Sequence, residues 1–252
     1  MPEILYLGDT SLSNAACYLA GLLHAGGWCY AYRPSDQDAD AALISSPWRA
    51  CILSDYPASR LSTELQLQIV ERVHAGAGLL MIGGWESYHG LGGNWNNTPI
   101  SRILPLEMQP TDDRVNCDHL ALVRSCGLDH PILRSLPWTQ RPPLIGGYNR
   151  LRVRAGASQL LEVCRYRTSL RGGEPVLAFA GCDPLLAIQT WGQGRVAALS
   201  TDVAPHWVGP WVDWGDDRVQ AQGPGADAIE VGNLYAQFFR QLVEWVQTSP
   251  DH

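Results

Sequence analysis

Four side chains in this sequence have the chemistry of a reactive site: Glu86, His89, Asp202 and His206. In each pair a carboxylate stands three or four positions from an imidazole. Such a pair can carry protons near neutral pH, and two imidazoles with a carboxylate match the donors of a divalent metal. The spacing is not that of a helical metal motif, because Pro205 interrupts the helix between Asp202 and His206. No metal and no cofactor is therefore assigned. The same residue types also serve as helix caps and buried hydrogen-bond partners, which is their commoner role. Glu86, Asp202 and His206 stand as catalytic candidates. Gly83, Gly84, Trp85, His89 and Trp207 stand beside them as candidates for ligand binding. Gly83-Gly84 suits a backbone nest for an anion, and suits a plain tight turn equally well.

These residues need elements to position them. Ile4 to Leu7 has the pattern of a buried strand ending at Gly8-Asp9. Ser13 is placed to cap a helix carrying Ala16, Leu19, Leu22 and Leu23, stopped by Gly26-Gly27. Trp28 to Tyr32 and Cys51 to Leu53 follow as strands, the latter ending in Ser54-Asp55-Tyr56-Pro57. Ser62 or Thr63 caps a second helix with Leu65, Ile69 and Val73 on one face, and Leu79 to Ile82 forms a fourth strand. Alternating strands and helices imply a mostly parallel, doubly wound sheet, whose functional crevice lies at the carboxyl ends of the strands. The turns after Leu7, Leu53 and Ile82 are the places to look for chemistry.

From Glu86 to Arg150 the chain is rich in Gly, Pro, Asn and Trp and reads as ordered loops over the sheet. Leu160 to Cys164, Val176 to Phe179, Leu185 to Thr190 and Arg195 to Leu199 are short apolar runs, with a hairpin connection at Trp191-Gly192-Gln193-Gly194. They predict an antiparallel continuation of the sheet. Val231 to Val246 predicts a closing amphipathic helix. Without a repeat or a low-complexity linker, residues 1–252 are expected to form a single domain.

Composition excludes several function classes. All eighteen basic residues are Arg, so neither a Schiff-base lysine nor a lysine-bearing phosphate loop can exist. A formal charge of −7 argues against binding a nucleic-acid backbone. No stretch is long and apolar enough to span a membrane, and Met1 to Gly8 enters a strand with no basic segment before it, so a soluble, cytoplasmic protein is expected. Cys17, Cys29, Cys51, Cys117, Cys126, Cys164 and Cys182 lack CxxC spacing and read as reduced thiols. Trp85, Trp95, Trp207, Trp211 and Trp214 fall in loops near the functional edge, with Asp213, Asp216 and Asp217 beside some of them. They suit a stacked ligand, loop pinning or a subunit contact. Arg150, Arg152 and Arg154 alternate along one face of a possible strand, as an anion site or a solvated face would.

The run Gly83-Gly84-Trp85-Glu86-Ser87-Tyr88-His89-Gly90, with Thr98-Pro99-Ile100 and Leu104-Pro105, resembles the class I glutamine amidotransferase-like family. Asp112-Asp113, Asp129-His130-Pro131, Gly146-Gly147-Tyr148-Asn149, Gly192-Gln193-Gly194-Arg195-Val196 and Ser200 to Trp207 fit the same pattern. The resemblance implies an α/β, flavodoxin-like three-layer sandwich, here with an antiparallel extension of the sheet. Working members of that family carry a Gly-x-Cys-x-Gly nucleophile elbow, followed later by His-x-Glu. Here Trp85 stands in place of the cysteine, Ser87 in place of the last glycine, and Val208 two residues beyond His206 where Glu is required. Ser87 is a hydroxyl two residues too late to take over the attack. The resemblance therefore implies a glutamine amidotransferase-like protein without glutaminase activity. Such a protein binds a small molecule or a protein partner or forms a homo-oligomer, or it is a hydrolase using Glu86, Asp202 and His206, with or without a metal.

Overall fold

The computed structural model describes residues 3–127 and 129–248. β1 (Ile4–Gly8), α1 (Ala16–Ala25), β2 (Tyr30–Arg33), α2 (Ala41–Ser45), β3 (Ala50–Ser54), α3 (Thr63–His74) and β4 (Gly78–Ile82) alternate along the first third. Short strands β5 (Leu106–Glu107), β6 (Arg114–Asn116), β7 (Leu120–Ser125), β8 (Gly147–Asn149) and β9 (Arg152–Val153) punctuate the loop-rich middle. β10 (Ser158–Arg171), β11 (Glu174–Trp191) and β12 (Gly194–Leu199) follow, then α4 (Pro205–Val208), β13 (Arg218–Ala221), β14 (Ile229–Gly232) and α5 (Asn233–Gln247).

The central sheet has eight strands in the order β2-β1-β3-β4-β12-β11-β10-β7. The first five run parallel, and β11, β10 and β7 extend the sheet antiparallel. Strand residues alternate between two cores, as their period of two requires. Ile4, Tyr6, Ile52, Leu80, Ile82, Ala197 and Leu199 join the core that includes Leu19 and Leu23 of α1 and Phe238 and Leu242 of α5. Leu5, Leu7, Cys51, Leu53, Leu79, Met81, Val196 and Ala198 join the core that includes Ile44 of α2 and Leu65, Ile69 and Val73 of α3. Both faces of the parallel half are thus covered, and its inner strands β1, β3 and β4 are buried along their whole length.

Local signals account for most boundaries. Ser62 Oγ accepts the Leu65 amide at the start of α3, and Asp40 caps α2, a helix too short to show in the apolar pattern. Ser13 bonds Ser11 instead of capping, and α1 begins at Ala16 after Ala15. β11 joins two runs predicted as separate strands, because Pro184 sits inside an extended strand without ending it. Val231 and Gly232, expected within the last helix, pair with β13 instead, and α5 starts at Asn233.

Cys164 and Cys182 do not remain reduced thiols: they form a disulfide across β10 and β11. The antiparallel register sets them directly opposite one another, with Cα atoms 4.2 Å apart. Their separation of 18 residues hides the pairing in the sequence. Thiol titration of the isolated, denatured protein is expected to count five thiols, rising to seven after reduction. Seven before reduction would show that the pair is open.

Candidate carboxylate–imidazole site

Register builds the site. Gly8 of β1 lies level with Ser54 of β3, and Ser54 with Ile82 of β4, whose neighbour in β12 is Leu199. The next residues along four adjacent strands are therefore Asp9, Asp55, Gly83 and Ser200, with Asp202 two positions on. Asp9 (φ 42°) and Asp55 (φ 49°) turn the chain off the sheet in the left-handed region, which Asp tolerates better than most residues. Both side chains are buried, and Asp202 is wholly so.

Each carboxylate is held differently. Tyr6 Oη donates to Asp9 Oδ2 at 3.1 Å, and the Glu86 amide donates to Asp55 Oδ1 at 2.7 Å. The amides of Val203 and Ala204 donate to Asp202 Oδ1. Asp202 Oδ2 lies 2.7 Å from His206 Nε2, an ion-pair distance, yet that buried oxygen receives no aligned hydrogen bond. His206 is half exposed on α4.

Three buried acids this close disfavour one another's charge. Burial first, and then the Asp202 charge, push Asp9 up to about 8. The same two causes, in the same order, hold Asp55 well above the usual carboxylate range. Partial burial raises Glu86, with Arg60 opposing. The Asp202 carboxylate raises His206 above an ordinary imidazole against the effect of its partial burial. Shifted groups gathered in this way make the cluster a candidate site.

The other candidates are spent on structure. The Gly83 amide bonds the carbonyls of Leu199 and Thr201, and the Gly84 amide bonds Asn149 Oδ1 at 3.0 Å, so neither is free for an anion. A Cβ on Gly84 would stand 2.1 Å from Asp55 Oδ1, so glycine here makes room for the carboxylate. His89 Nδ1 bonds Asn96 at 2.7 Å. Trp207 is buried against Gly147, its Nε1 donating to Asn116. Ser87 Oγ donates to the Ile82 carbonyl and accepts the Asp55 amide, and so is a strut for the turn. Trp95, Trp211 and Trp214 are buried pins. Trp85 alone of the five lies open, beneath the Arg114 guanidinium 4.6 Å from its ring centroid. Trp85→Ala is expected to cost less than about 1 kcal/mol in urea unfolding; a larger loss would mean that the indole braces the turn. Arg150 pairs with Asp183 and Arg154 with Glu107, so the alternating arginines make no common anion site.

A cavity of about 540 Å³ lies elsewhere, beside Trp48 and Arg72 near the start of β4. Arg72 there is bound by the carbonyls of Ile44, Ser46 and Trp48, and serves as a tie between elements.

The family model described as putative glutamine amidotransferase (GATase1-like) matches residues 54–219. The chain belongs to that family. Its fold is similar to that of a cytoplasmic protein of Salmonella typhimurium LT2, at 22% identity, covering 96% of this chain and 98% of that one, with a TM-score of 0.73. A second cytoplasmic protein of Salmonella typhimurium gives 20% identity, coverage of 97% and 98%, and a TM-score of 0.72. A protein of Bacteroides uniformis described as ThuA-like gives 12% identity, coverage of 96% and 90%, and a TM-score of 0.54. No curated protein matches the sequence. Among the described residues no helix is long and apolar enough to cross a membrane.

Within this glutamine amidotransferase-like chain, sequence reasoning reached Glu86, Asp202 and His206 and missed Asp9 and Asp55. The missing signal was present in weak form. An Asp directly follows β1 and another directly follows β3, at the turns expected to bear chemistry. Asp113 was also missed as a structural partner: it is buried and takes the amides of His89 and Gly90.

Proposed function

We propose that this chain is a flavodoxin-like, three-layer member of its family in which a carboxylate–imidazole site replaces the thiol triad. It is a cytoplasmic protein without glutaminase activity, and the site hydrolyses a small polar ester or amide with water as the nucleophile. The observation that carries this reading is the convergence of Asp9, Asp55, Asp202 and His206 at the carboxyl edge of the parallel strands, where α/β folds bind ligands. Glu86 at its margin is the proton carrier in this reading, its carboxyl raised by partial burial against the opposing charge of Arg60. The Asp202–His206 pair orients the polar end of the substrate.

The test is acid release from a panel of acyl esters and N-acyl amides. Glu86→Gln is expected to lower kcat at least a hundredfold with little change in KM. A panel without turnover, or full activity in Glu86→Gln, would remove the hydrolytic reading. Trp85→Cys is expected to release no ammonia from glutamine. The new thiol would find the Gly84 amide engaged by Asn149, and Val208 where the acid of the triad belongs.

An assembly reading has its own support in the outer halves of β10 and β11. Tyr166, Thr168 and Leu170 pair with Phe179, Leu177 and Pro175 on one face, while Arg167, Ser169, Arg171 and Glu174 lie on the other. Leu170 (74%), Leu177 (53%) and Phe179 (61%) are exposed. A two-stranded ribbon this open gains little stability alone. A second copy of the chain is the partner proposed. Sedimentation equilibrium is expected to give a dimer that Leu177→Glu with Phe179→Glu converts to monomer; a monomeric parent protein would exclude it.

A further inference from the structure

We propose that Asp55, Asp202 and His206 bind one divalent cation at the carboxyl edge of the sheet. This deepens the hydrolytic reading above and rests on the same site. One oxygen of each carboxylate and one ring nitrogen of the imidazole all lie within 4.8 Å of one another. They come from three places in the chain, the turn after β3, the turn after β12 and the helix α4, and only the packed sheet assembles them.

A second observation points to a ligand. Asp202 Oδ2 is wholly buried, and its nearest donor, His206 Nε2 at 2.7 Å, is not aligned to give it a hydrogen bond. A buried carboxylate oxygen held by one half-exposed imidazole is poorly compensated, while its companion Oδ1 already takes two amides. Charge gives the same sign of ligand. Asp202 and Glu86 bear on both Asp9 and Asp55, Asp9 bears on Asp55 as well, and the cation that reaches Asp9 is His206. Buried acids outnumbering their counter-charge are balanced by a metal ion more completely than by one half-exposed imidazole.

Two carboxylates and one imidazole suit a first-row divalent ion, and three protein ligands leave a position open for water. Ligands of a tetrahedral ion with bonds of about 2.0–2.1 Å stand about 3.3 Å apart. His206 Nε2 must therefore move out from its 2.7 Å contact with Asp202 by about half an ångström. Its half-exposed position on a four-residue helix leaves room for that shift. Glu86, whose amide holds Asp55, stands next to the ion without being needed as a ligand.

The experiment is calorimetric titration of the chelator-treated full chain with Mn²⁺, an ion that prefers oxygen and nitrogen donors and avoids the free thiols. One Mn²⁺ per chain is expected. His206→Ala and Asp202→Asn are each expected to weaken binding at least about tenfold. His206→Ala removes a half-exposed side chain, so thermal unfolding of that variant should confirm that it is folded and that its loss is one of ligation. No saturable site in the parent, or unchanged affinity in both ligand variants, overturns the proposal. Binding without turnover of any ester or amide upholds the cation site and removes the hydrolytic reading. Turnover that persists in chelator-treated protein showing no Mn²⁺ binding does the reverse.

Discussion

Asn149→Leu is expected to destabilise the protein by about 3–5 kcal/mol in urea unfolding, from the loss of several buried hydrogen bonds at once. Asn149 is wholly buried at the end of β8, and its side chain joins three segments distant in sequence. Its Oδ1 accepts the Gly84 amide at 3.0 Å, and its Nδ2 donates to the Gly84 carbonyl at 3.1 Å and to Asp113 Oδ1 at 2.8 Å. Leucine fills a similar volume and satisfies none of these groups. The Gly84 amide and carbonyl are then stranded in the interior, and Asp113 keeps only its backbone donors from His89 and Gly90. A loss under about 1 kcal/mol would mean that water takes over these bonds. The same substitution should weaken Mn²⁺ binding, because Gly84 packs directly against the Asp55 carboxylate.

The second large effect is a fall in stability as pH rises, measured on chelator-treated protein. Asp9 has a folded value of about 8 against an unfolded value near 3.9. Below about pH 4 both states hold the proton, and the contribution of Asp9 is complete. Between about pH 4 and 8 the folded state keeps a proton that the unfolded chain has released, so unfolding free energy falls with pH. One proton corresponds to about 1.4 kcal/mol per pH unit over that window. Asp55 is shifted the same way and steepens the slope. Asp112, lowered chiefly by its hydrogen bond from Arg114, acts oppositely and only at more acidic pH. Urea midpoints at pH 5 and pH 8 should therefore differ, with the higher at pH 5. Asp9→Asn should reduce that difference, with Asp55 carrying the remainder. A flat profile in the parent protein would show that water reaches Asp9 and lets it ionise without penalty.

The two effects concern the same few ångströms, and they divide the work there. Asn149, Ser87 and Asp113 fix the turn after β4. Asp9, Asp55, Asp202 and His206 form the charged cluster that this turn borders. The stabilising residues are fully partnered, whereas the charged cluster retains one buried oxygen whose nearest donor, His206 Nε2, is out of line with it. That contrast separates scaffold from site more clearly than residue type does, because both groups are built from Asp, Asn, Ser and His.

Much was determined by the sequence alone. Apolar runs of four or five residues ending in Gly or Asp, alternating with helices at a period of 3.6, require strands buried on both faces and hence the parallel half of the sheet. The absence of Lys ruled out a Schiff-base lysine and a lysine-bearing phosphate loop. The Asp202–His206 pair was within reach because its members are four residues apart. Tertiary structure alone decided the rest. A single Asp after a strand reads as an ordinary turn residue. Asp9 and Asp55 become a site only when β1 and β3 align side by side, a register set by packing on two faces. The Cys164–Cys182 bridge depends on the antiparallel register of two long strands, and the hold of Asn149 on Gly84 joins positions 65 residues apart. Local sequence specifies the elements because propensity and periodicity act over a few residues. The site is assembled from residues far apart in the chain, and only burial in a common core brings them together.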